Sequence, residues 1–421
     1  MSGATRERLE RVHLGSDELL GEAERLAFRI VETHTRDEQG GVNWISLRTL
    51  VPEQPARLAP VGPHLYGGST GIAFFLAAFM HVSGLHEQRS FVLEILDPLR
   101  QRLAAIAADP ARAAALRLGL GGMIGLGAFA YAFHRIGGWL SEPSLVRESQ
   151  DLLSLFTTER IMSDQLLDVV GGSAGGLLSL LAVSPSAGDE SVAARAAAIA
   201  CGTRLVSTLL WKDNQPAGWR TLPWCSPLGG FSHGAAGICY ALFRLYERTK
   251  DEALWEAARE GLVFERDLYD PAKKNWRDLR SPKAGFSVCW CHGAPGVALG
   301  RIAALHIMDS EEIRAEINDG LETTRTAALD DLDHVCCGNF GRVEVLHYAA
   351  RKLGRPDLLE EAFGLAERVL QRARSRGRYG WDQDPTVKIF DPSFFTGAAG
   401  LGYSLLRLAR PDLLPCVLLL D

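Results

Sequence analysis

The sequence predicts an all-α fold, an α/α toroid: a double-layered barrel of seven helical-hairpin repeats. Three observations carry this reading. A Gly-x-x-Gly element recurs at Gly68–Gly71, Gly122–Gly125, Gly172–Gly175, Gly234–Gly237, Gly293–Gly296, Gly338–Gly341 and Gly397–Gly400. Successive first glycines stand 54, 50, 62, 59, 45 and 59 residues apart, which is room for two helices and two connections per unit. The elements also lead into apolar runs, with amphipathic stretches in the intervals between them. A chain with 43 glycines scatters isolated pairs of this kind, whereas seven at regular spacing, each entering a helix, form a pattern.

Along the chain, residues before Tyr66 are expected to supply one or two outer helices and a strand-like or irregular piece around NWISLRTLVPEQPARLAP. The glycines then introduce inner helices such as GIAFFLAAFMHVSG, GLGAFAYAFHRIGG, GGLLSLLAVS, GICYALFRLYE, GVALGRIAAL and GLGYSLLRLAR, several of them apolar nearly all round, as a fully buried helix requires. Between them, FVLEILDPLRQRLAAIAAD, SVAARAAAIACGTRLVSTLL, ALWEAAREGLVFERDLY and LLEEAFGLAERVLQRAR place apolar residues three and four apart among charges, the pattern of outer helices. The glycines themselves fit a tight turn into each inner helix, where a Cβ would meet the neighbouring chain. Closure into a ring is expected, because an open stack would expose buried-type helices at both ends.

Composition narrows the function. The chain has 421 residues, a hydrophobic fraction of 47% and 45 basic against 51 acidic side chains, a net charge of −6. That is a chain able to bury a large core, with no general electrostatic drive toward nucleic acid or an anionic membrane. Neither partner is expected. The longest stretch free of Asp, Glu, Lys and Arg, Leu58 to His86, is broken by Pro, Gly, Ser and His; a bilayer span needs about 20 apolar residues. The start, MSGATRERLERVHLG, has no apolar segment of a secretory signal. A reducing, cytoplasmic setting follows, in which thiols stay free.

Chemistry collects just before the glycines. Asp168 precedes Gly172 by four, His233 precedes Gly234 by one, Cys291 and His292 stand in WCHGAPG, and Cys336 and Cys337 in HVCCGNFG. If the repeats are equivalent, these residues share one end of the barrel. Cys291, Cys336 and Cys337 fit a single Zn²⁺ site per chain, since three protein ligands with an open fourth position is the catalytic arrangement of zinc. His292 and His334 stand as alternative fourth ligands or as partners of the ligands. Cys201, Cys225, Cys239, Cys289 and Cys416 lack such company and are expected to behave as small hydrophobes.

The segments HLYGGSTG, DVVGGSAG, FSHGAAG, WCHGAPG and CCGNFG resemble those of lanthionine synthetase C-like cyclases over nearly the whole chain. GVNWISL…LAPVGPHLYGG, the CCGN variant and the ending PCVLLLD most resemble the C-terminal cyclase domain of class II lanthipeptide synthetases. The resemblance implies an α/α toroid around zinc, with Cys291, Cys336 and Cys337 as ligands; many relatives have His where Cys337 stands. Class I members carry an Arg at the position of Ser287 and a Tyr at that of His292, so roles of those two groups do not transfer. It also implies an N-terminal helical segment, 1–60, packing on a cyclase domain, 61–421. A class II enzyme has a dehydratase region upstream, so an excised domain is expected.

The implied reaction is Michael-type addition of a peptide cysteine to dehydroalanine or dehydrobutyrine, closing a lanthionine or methyllanthionine thioether ring. Its substrate would be a dehydrated precursor peptide bearing a leader. His233 is the candidate acid for the enolate, and Asp168 is placed to orient its imidazole. Three other readings compete. A glycosidase on the same fold would leave the cysteine cluster unexplained. Zinc-dependent thiol alkylation or glutathione-type addition would keep the site and change the electrophile, and a non-catalytic peptide-binding module would not need the metal.

Overall fold

The computed structural model describes residues 15–38, 40–48, 56–109, 118–184, 191–280, 285–382, 384 and 386–421. Helices alternate between two layers. The outer layer holds α1 (Ser16–Glu32), α3 (Arg89–Ala107), α5 (Pro143–Asp151), α7 (Val192–Ser207), α9 (Glu252–Arg266), α11 (Glu311–Thr326) and α13 (Pro356–Arg376). The inner layer holds α2 (Ser69–Ser83), α4 (Leu126–Trp139), α6 (Ser173–Val183), α8 (Ala235–Thr249), α10 (Ala294–Ala304), α12 (Asn339–Leu353) and α14 (Ala398–Ala409). A short helical turn, Thr158–Met162, follows α5, and antiparallel strand pairs such as Ile45–Arg48 with Arg57–Pro60 join the helices. Part of the segment expected to be strand-like, residues 49–55, lies outside the described residues.

Burial separates the two layers as the hydrophobic patterns require. Every residue of α10 is buried, and α2 is buried without a break from Thr70 to Met80. On α9 the buried positions are Leu254, Ala257, Ala258, Gly261, Leu262 and Glu265, one face at three- and four-residue spacing. Each inner helix packs on the next, and α14 packs back on α2. Phe74 of α2 meets Phe394 and Tyr403 at ring-centroid distances of 5.6 and 5.4 Å across this seam. Helix α1 lies on α14, so the outer partner of the last inner helix comes from the start of the chain. The C-terminal residues Leu418, Leu419 and Leu420 are buried inside the ring, and the Asp421 carboxylate accepts hydrogen bonds from Tyr240 and Arg244.

The turns into the inner helices are linked by a closed circle of backbone hydrogen bonds. In each repeat the residue two before the N-cap glycine takes part: Tyr66, Met123, Val170, Ser232, Cys291, Cys336 and Phe395. Tyr66 N–H donates to Met123 O (3.0 Å), Met123 to Val170 (3.1 Å), and Val169, beside Val170, to Ser232 (3.2 Å). Ser232 N–H donates to Cys291 O (3.2 Å), Cys291 to Cys336 (3.4 Å), Cys336 to Phe395 (2.9 Å) and Phe395 back to Tyr66 (2.8 Å). One expected element shifts. The N-cap of α4 is Gly125, so the second repeat's element begins at Gly125 rather than at Gly122, with Ala128 in place of its second glycine. The glycine-rich LGLGGMIG allowed either register on sequence grounds alone.

No helix among the described residues is long and apolar enough to cross a membrane. The belt makes its glycines obligatory. A Cβ on Gly296 would stand 2.0 Å from Trp290 O, a backbone atom that cannot step aside. Gly296→Ala should therefore destabilise the protein by about 3 kcal/mol. Gly138, near the end of α4 with nothing within 4 Å of its Cβ direction, should instead gain up to about 1 kcal/mol as Ala. Urea unfolding of the two variants checks the opposite signs.

Candidate metal centre

Cysteine side chains from repeats five and six meet at the belt. Cys291 and Cys336 occupy equivalent belt positions, with their backbones hydrogen-bonded to one another, and Cys337 is one residue nearer its N-cap glycine. Cys291 Sγ lies 3.3 Å from Cys337 Sγ, which lies 3.4 Å from Cys336 Sγ. All three side chains expected at the centre are thus brought together. A fourth thiol joins them: Cys289 Sγ is 3.4 Å from Cys291 Sγ, and the sulfurs of Cys289, Cys291 and Cys337 all lie within 4.8 Å of one another. This corrects the expectation that Cys289 is an isolated small hydrophobe. The turn at Cys289–His292 is closed by Cys289 N–H to His292 O at 3.3 Å, and it folds Cys289 against Cys291. Trp290, between them, packs instead on Phe231 and Phe395.

The donor set fits zinc. Tetrahedral Zn–S bonds of about 2.3 Å give sulfur–sulfur edges of about 3.8 Å, close to the separations seen. The thiols also need a cation if more than one is to ionise. The Cys337 thiol is held far below its ordinary range by its contacts with Cys289, Cys291 and Cys336. Contacts with Cys289, Cys336 and Cys337 push Cys291 upward, whereas Cys336 is drawn down by Cys291 but pushed up on balance by Cys337 and burial. Cys289 is drawn down by its bond to Cys291, yet Cys337 and burial push it up to about 12. Both cysteine turns run directly into helix N-termini, those of α10 and α12, whose dipoles favour thiolate.

Beside the thiols stand the imidazoles. His233 Nδ1–H donates to Asp168 Oδ2 at 2.6 Å, and Asp168, buried, takes Gly171 N–H on its other oxygen at 2.7 Å. The carboxylate is fixed at both oxygens, and it fixes the ring in turn. The His233 ring stacks near that of His292, centroids 6.1 Å apart. His292 donates Nδ1–H to Gly229 O at 3.2 Å, and its Nε2 is buried without a partner. Burial, reinforced by the charge of Arg280, lowers its pKa to about 4, so His292 is neutral at pH 7. Among its neighbours the ring is a structural companion of Cys291. His334 Nδ1 accepts Cys337 N–H at 3.3 Å, and that bond occupies the nitrogen in shaping the ligand turn.

Further groups near the centre were not among the expected site residues. Tyr66 sits at the belt position of repeat one, stacked on Phe395 at 5.0 Å; burial and then the charges of Cys336 and Cys337 raise its pKa. Its place two before Gly68, matching Cys291 and Cys336, was the available signal. Arg280 is paired with Asp278 at 2.7 Å, and Ser287 Oγ–H donates to the same carboxylate at 2.7 Å. Ser287 therefore serves here as an anchor for the Asp278–Arg280 pair. A cavity of about 700 Å³ opens between repeats five and six, lined by Arg280, Phe286, Cys289, Leu329, Asp331 and Cys337. Arg342 holds its far wall, donating to Ala327 O and Ala328 O at 2.6 and 2.8 Å.

A ring of turns that presents thiols and an Asp–His pair above a helical toroid defines a class of proteins as much as a fold. The chain belongs to the family described as Lanthionine synthetase C-like protein, which it matches over residues 59–419. Among curated proteins it is similar to the lacticin 481/lactococcin biosynthesis protein LcnDR2 of Lactococcus lactis subsp. lactis, with 22% identity over 194 residues. That match covers 43% of this chain and 20% of the relative, so the chain spans only a fraction of that protein's length. Among solved structures it is similar to nisin cyclase, with a TM-score of 0.62 and 18% identity, covering 85% of this chain and 92% of the other. This second likeness is one of fold.

Metal content tests the cluster. The protein purified without added metal should carry close to one equivalent of zinc. Replacing Cys291 and Cys336 together by Ala should abolish retention, and Cys337→Ala should weaken affinity by more than about 100-fold, beyond what loss of a ligand's outer partner does. Stoichiometric zinc in the double variant would exclude this cluster as the metal centre.

Proposed function

We propose that this chain is the zinc-dependent cyclase of lanthipeptide biosynthesis. It would close thioether rings by adding peptide cysteine thiols to dehydroalanine or dehydrobutyrine. The observation that carries the reading is that the belt joins the turn of the Asp168–His233 pair to that of Cys291, whose sulfur meets that of Cys337, with the His233 and His292 rings 6.1 Å apart. Cys291, Cys336 and Cys337 would hold the metal. Bound zinc would keep the peptide sulfur as a thiolate at neutral pH, where a free thiol with a pKa of about 8.5 is mostly protonated.

The chain's own groups account for the rest. The C–S bond forms at the β-carbon, the alkene's π pair moves toward the carbonyl as an enolate, and a proton must arrive at the α-carbon. His233 is the proposed donor. Asp168 holds Nδ1–H, so Nε2 is the atom left to carry that proton, and the ring cannot turn away while the 2.6 Å bond persists. The cavity beside Cys289 and Cys337 would receive the peptide, with Phe286 and Leu329 offering apolar contact and Arg280 and Asp331 polar contact.

The proposed substrate is a precursor peptide with its leader, already dehydrated by an upstream dehydratase domain. Residues 61–421 are proposed as the cyclase domain and 1–60 as an N-terminal segment, of which α1 (Ser16–Glu32) packs on α14. A cytoplasmic location belongs to the same proposal, because all eight cysteines are free and the site depends on reduced thiols.

Incubation with a pre-dehydrated, cysteine-containing peptide, followed by thiol alkylation and mass spectrometry, tests the reaction. Peptide thiols should become unreactive with no change in peptide mass. Persistence of every alkylatable thiol, with zinc bound, would contradict the proposal. His233→Ala should keep its zinc while slowing ring closure by a factor on the order of 10²–10⁴. Asp168→Asn should slow it too, again without loss of metal; metal loss in either variant would recast the pair as part of the zinc site.

A further inference from the structure

Four thiols, not three, converge on the centre. Cys289 is buried, its Sγ is 3.4 Å from Cys291 Sγ, and it shares with Cys291 and Cys337 a volume in which no two sulfurs are more than 4.8 Å apart. Cys336 Sγ touches the same Cys337 sulfur from another side at 3.4 Å. Packing alone does not call for this. Cys239, in the wall of the barrel, turns its S–H to the Ala258 carbonyl at 3.2 Å. Cys289 instead faces sulfur. Its neighbour Trp290 takes the core position, so the turn presents both flanking thiols to one point.

We propose that Cys289 is the fourth thiolate of the metal centre at rest, completing a tetrahedral set with Cys291, Cys336 and Cys337. The inference rests on the reading of the cluster as a zinc site. Its consequence is that the centre is closed until a peptide arrives. A four-thiolate set would have no vacant corner, so an incoming thiol would have to take the place of a protein thiol. Cys289 is the member with an alternative partner, because its Sγ lies 3.4 Å from His292 O. It also lines the cavity proposed to admit the peptide. In such an exchange the peptide S–H proton would pass to Cys289 Sγ, which would then donate to His292 O, so that the number of thiolates at the centre would stay constant. Cys291, Cys336 and Cys337 keep their places. Such a device would shield a reactive metal from adventitious thiols while leaving it open to a peptide that fills the cavity.

X-ray absorption at the zinc edge of the purified full chain tests this without any variant. Four sulfurs at about 2.3 Å are expected, against three sulfurs and one lighter atom if Cys289 stays protonated. In the cobalt-substituted protein, Cys289→Ser should lower the thiolate charge-transfer absorption by about a quarter, the step from four thiolates to three. Adding a cysteine-containing peptide should restore that intensity in the variant and leave it unchanged in the parent. Three sulfurs in the parent, with identical cobalt spectra in parent and variant, would overturn the fourth-ligand proposal and leave the cyclase reading standing. A metal bound without sulfur, or no bound metal, would overturn both.

Discussion

Everything at the functional end of this protein depends on a backbone constraint, the circle of hydrogen bonds that joins the seven turns. Seven hairpins could stack in many ways if only apolar surface held them. The belt removes that freedom, because each turn must offer an N–H to one neighbour and a carbonyl to the other. It also brings chain segments so close that side chains are excluded, which is why glycines recur at each helix entry. The same constraint places Cys291 and Cys336 side by side although 44 intervening residues separate them in sequence.

Buried polar side chains then hold individual turns in shape. Glu265 of α9, with no exposure at all, accepts Gly230 N–H and Ala236 N–H at 2.8 and 3.1 Å on one oxygen and pairs with Arg301 of α10 on the other at 2.9 Å. The outer layer thereby fixes the turn that carries His233. Asn275 does the same for the Cys291 turn, accepting Ala294 N–H at 2.7 Å and donating to Ser287 O at 3.1 Å. Asn339 donates to Leu332 O at 2.8 Å and braces the Cys337 turn. One-sided loss of a buried ion pair costs about 3–5 kcal/mol, so the Glu265–Arg301 contact supports stability and site geometry together.

Much of this arrangement was legible in the sequence because the repeat is written in glycines. Spacing between them revealed seven hairpins, and the cysteines expected before them, Cys291, Cys336 and Cys337, lie in sulfur contact through Cys337. What escaped notice lies where the local code is ambiguous. Repeat two holds four glycines between Gly119 and Gly125, and only packing against Gly171 and Gly175 selects Gly125 as the N-cap. Cys289 sits inside a bend that no period describes, so its approach to Cys291 is visible only once the turn is folded. Arg280 reaches the site through Asp278 and Ser287, a relay of side-chain contacts rather than a motif. That the first helix should back the last inner one is a property of ring closure, and no local pattern in Ser16–Glu32 announces it.

The central claim is that the belt assembles a zinc centre from cysteines of two adjacent repeats, next to a histidine held by a carboxylate. Anomalous scattering at the zinc edge from crystals of the metal-loaded protein measures this directly. A single anomalous peak is expected among the sulfurs of Cys291, Cys336 and Cys337, about 2.3 Å from each, with the Asp168–His233 bond intact beside it. A fully occupied zinc elsewhere on the chain, with that thiol cluster free of metal in an active protein, would contradict the account.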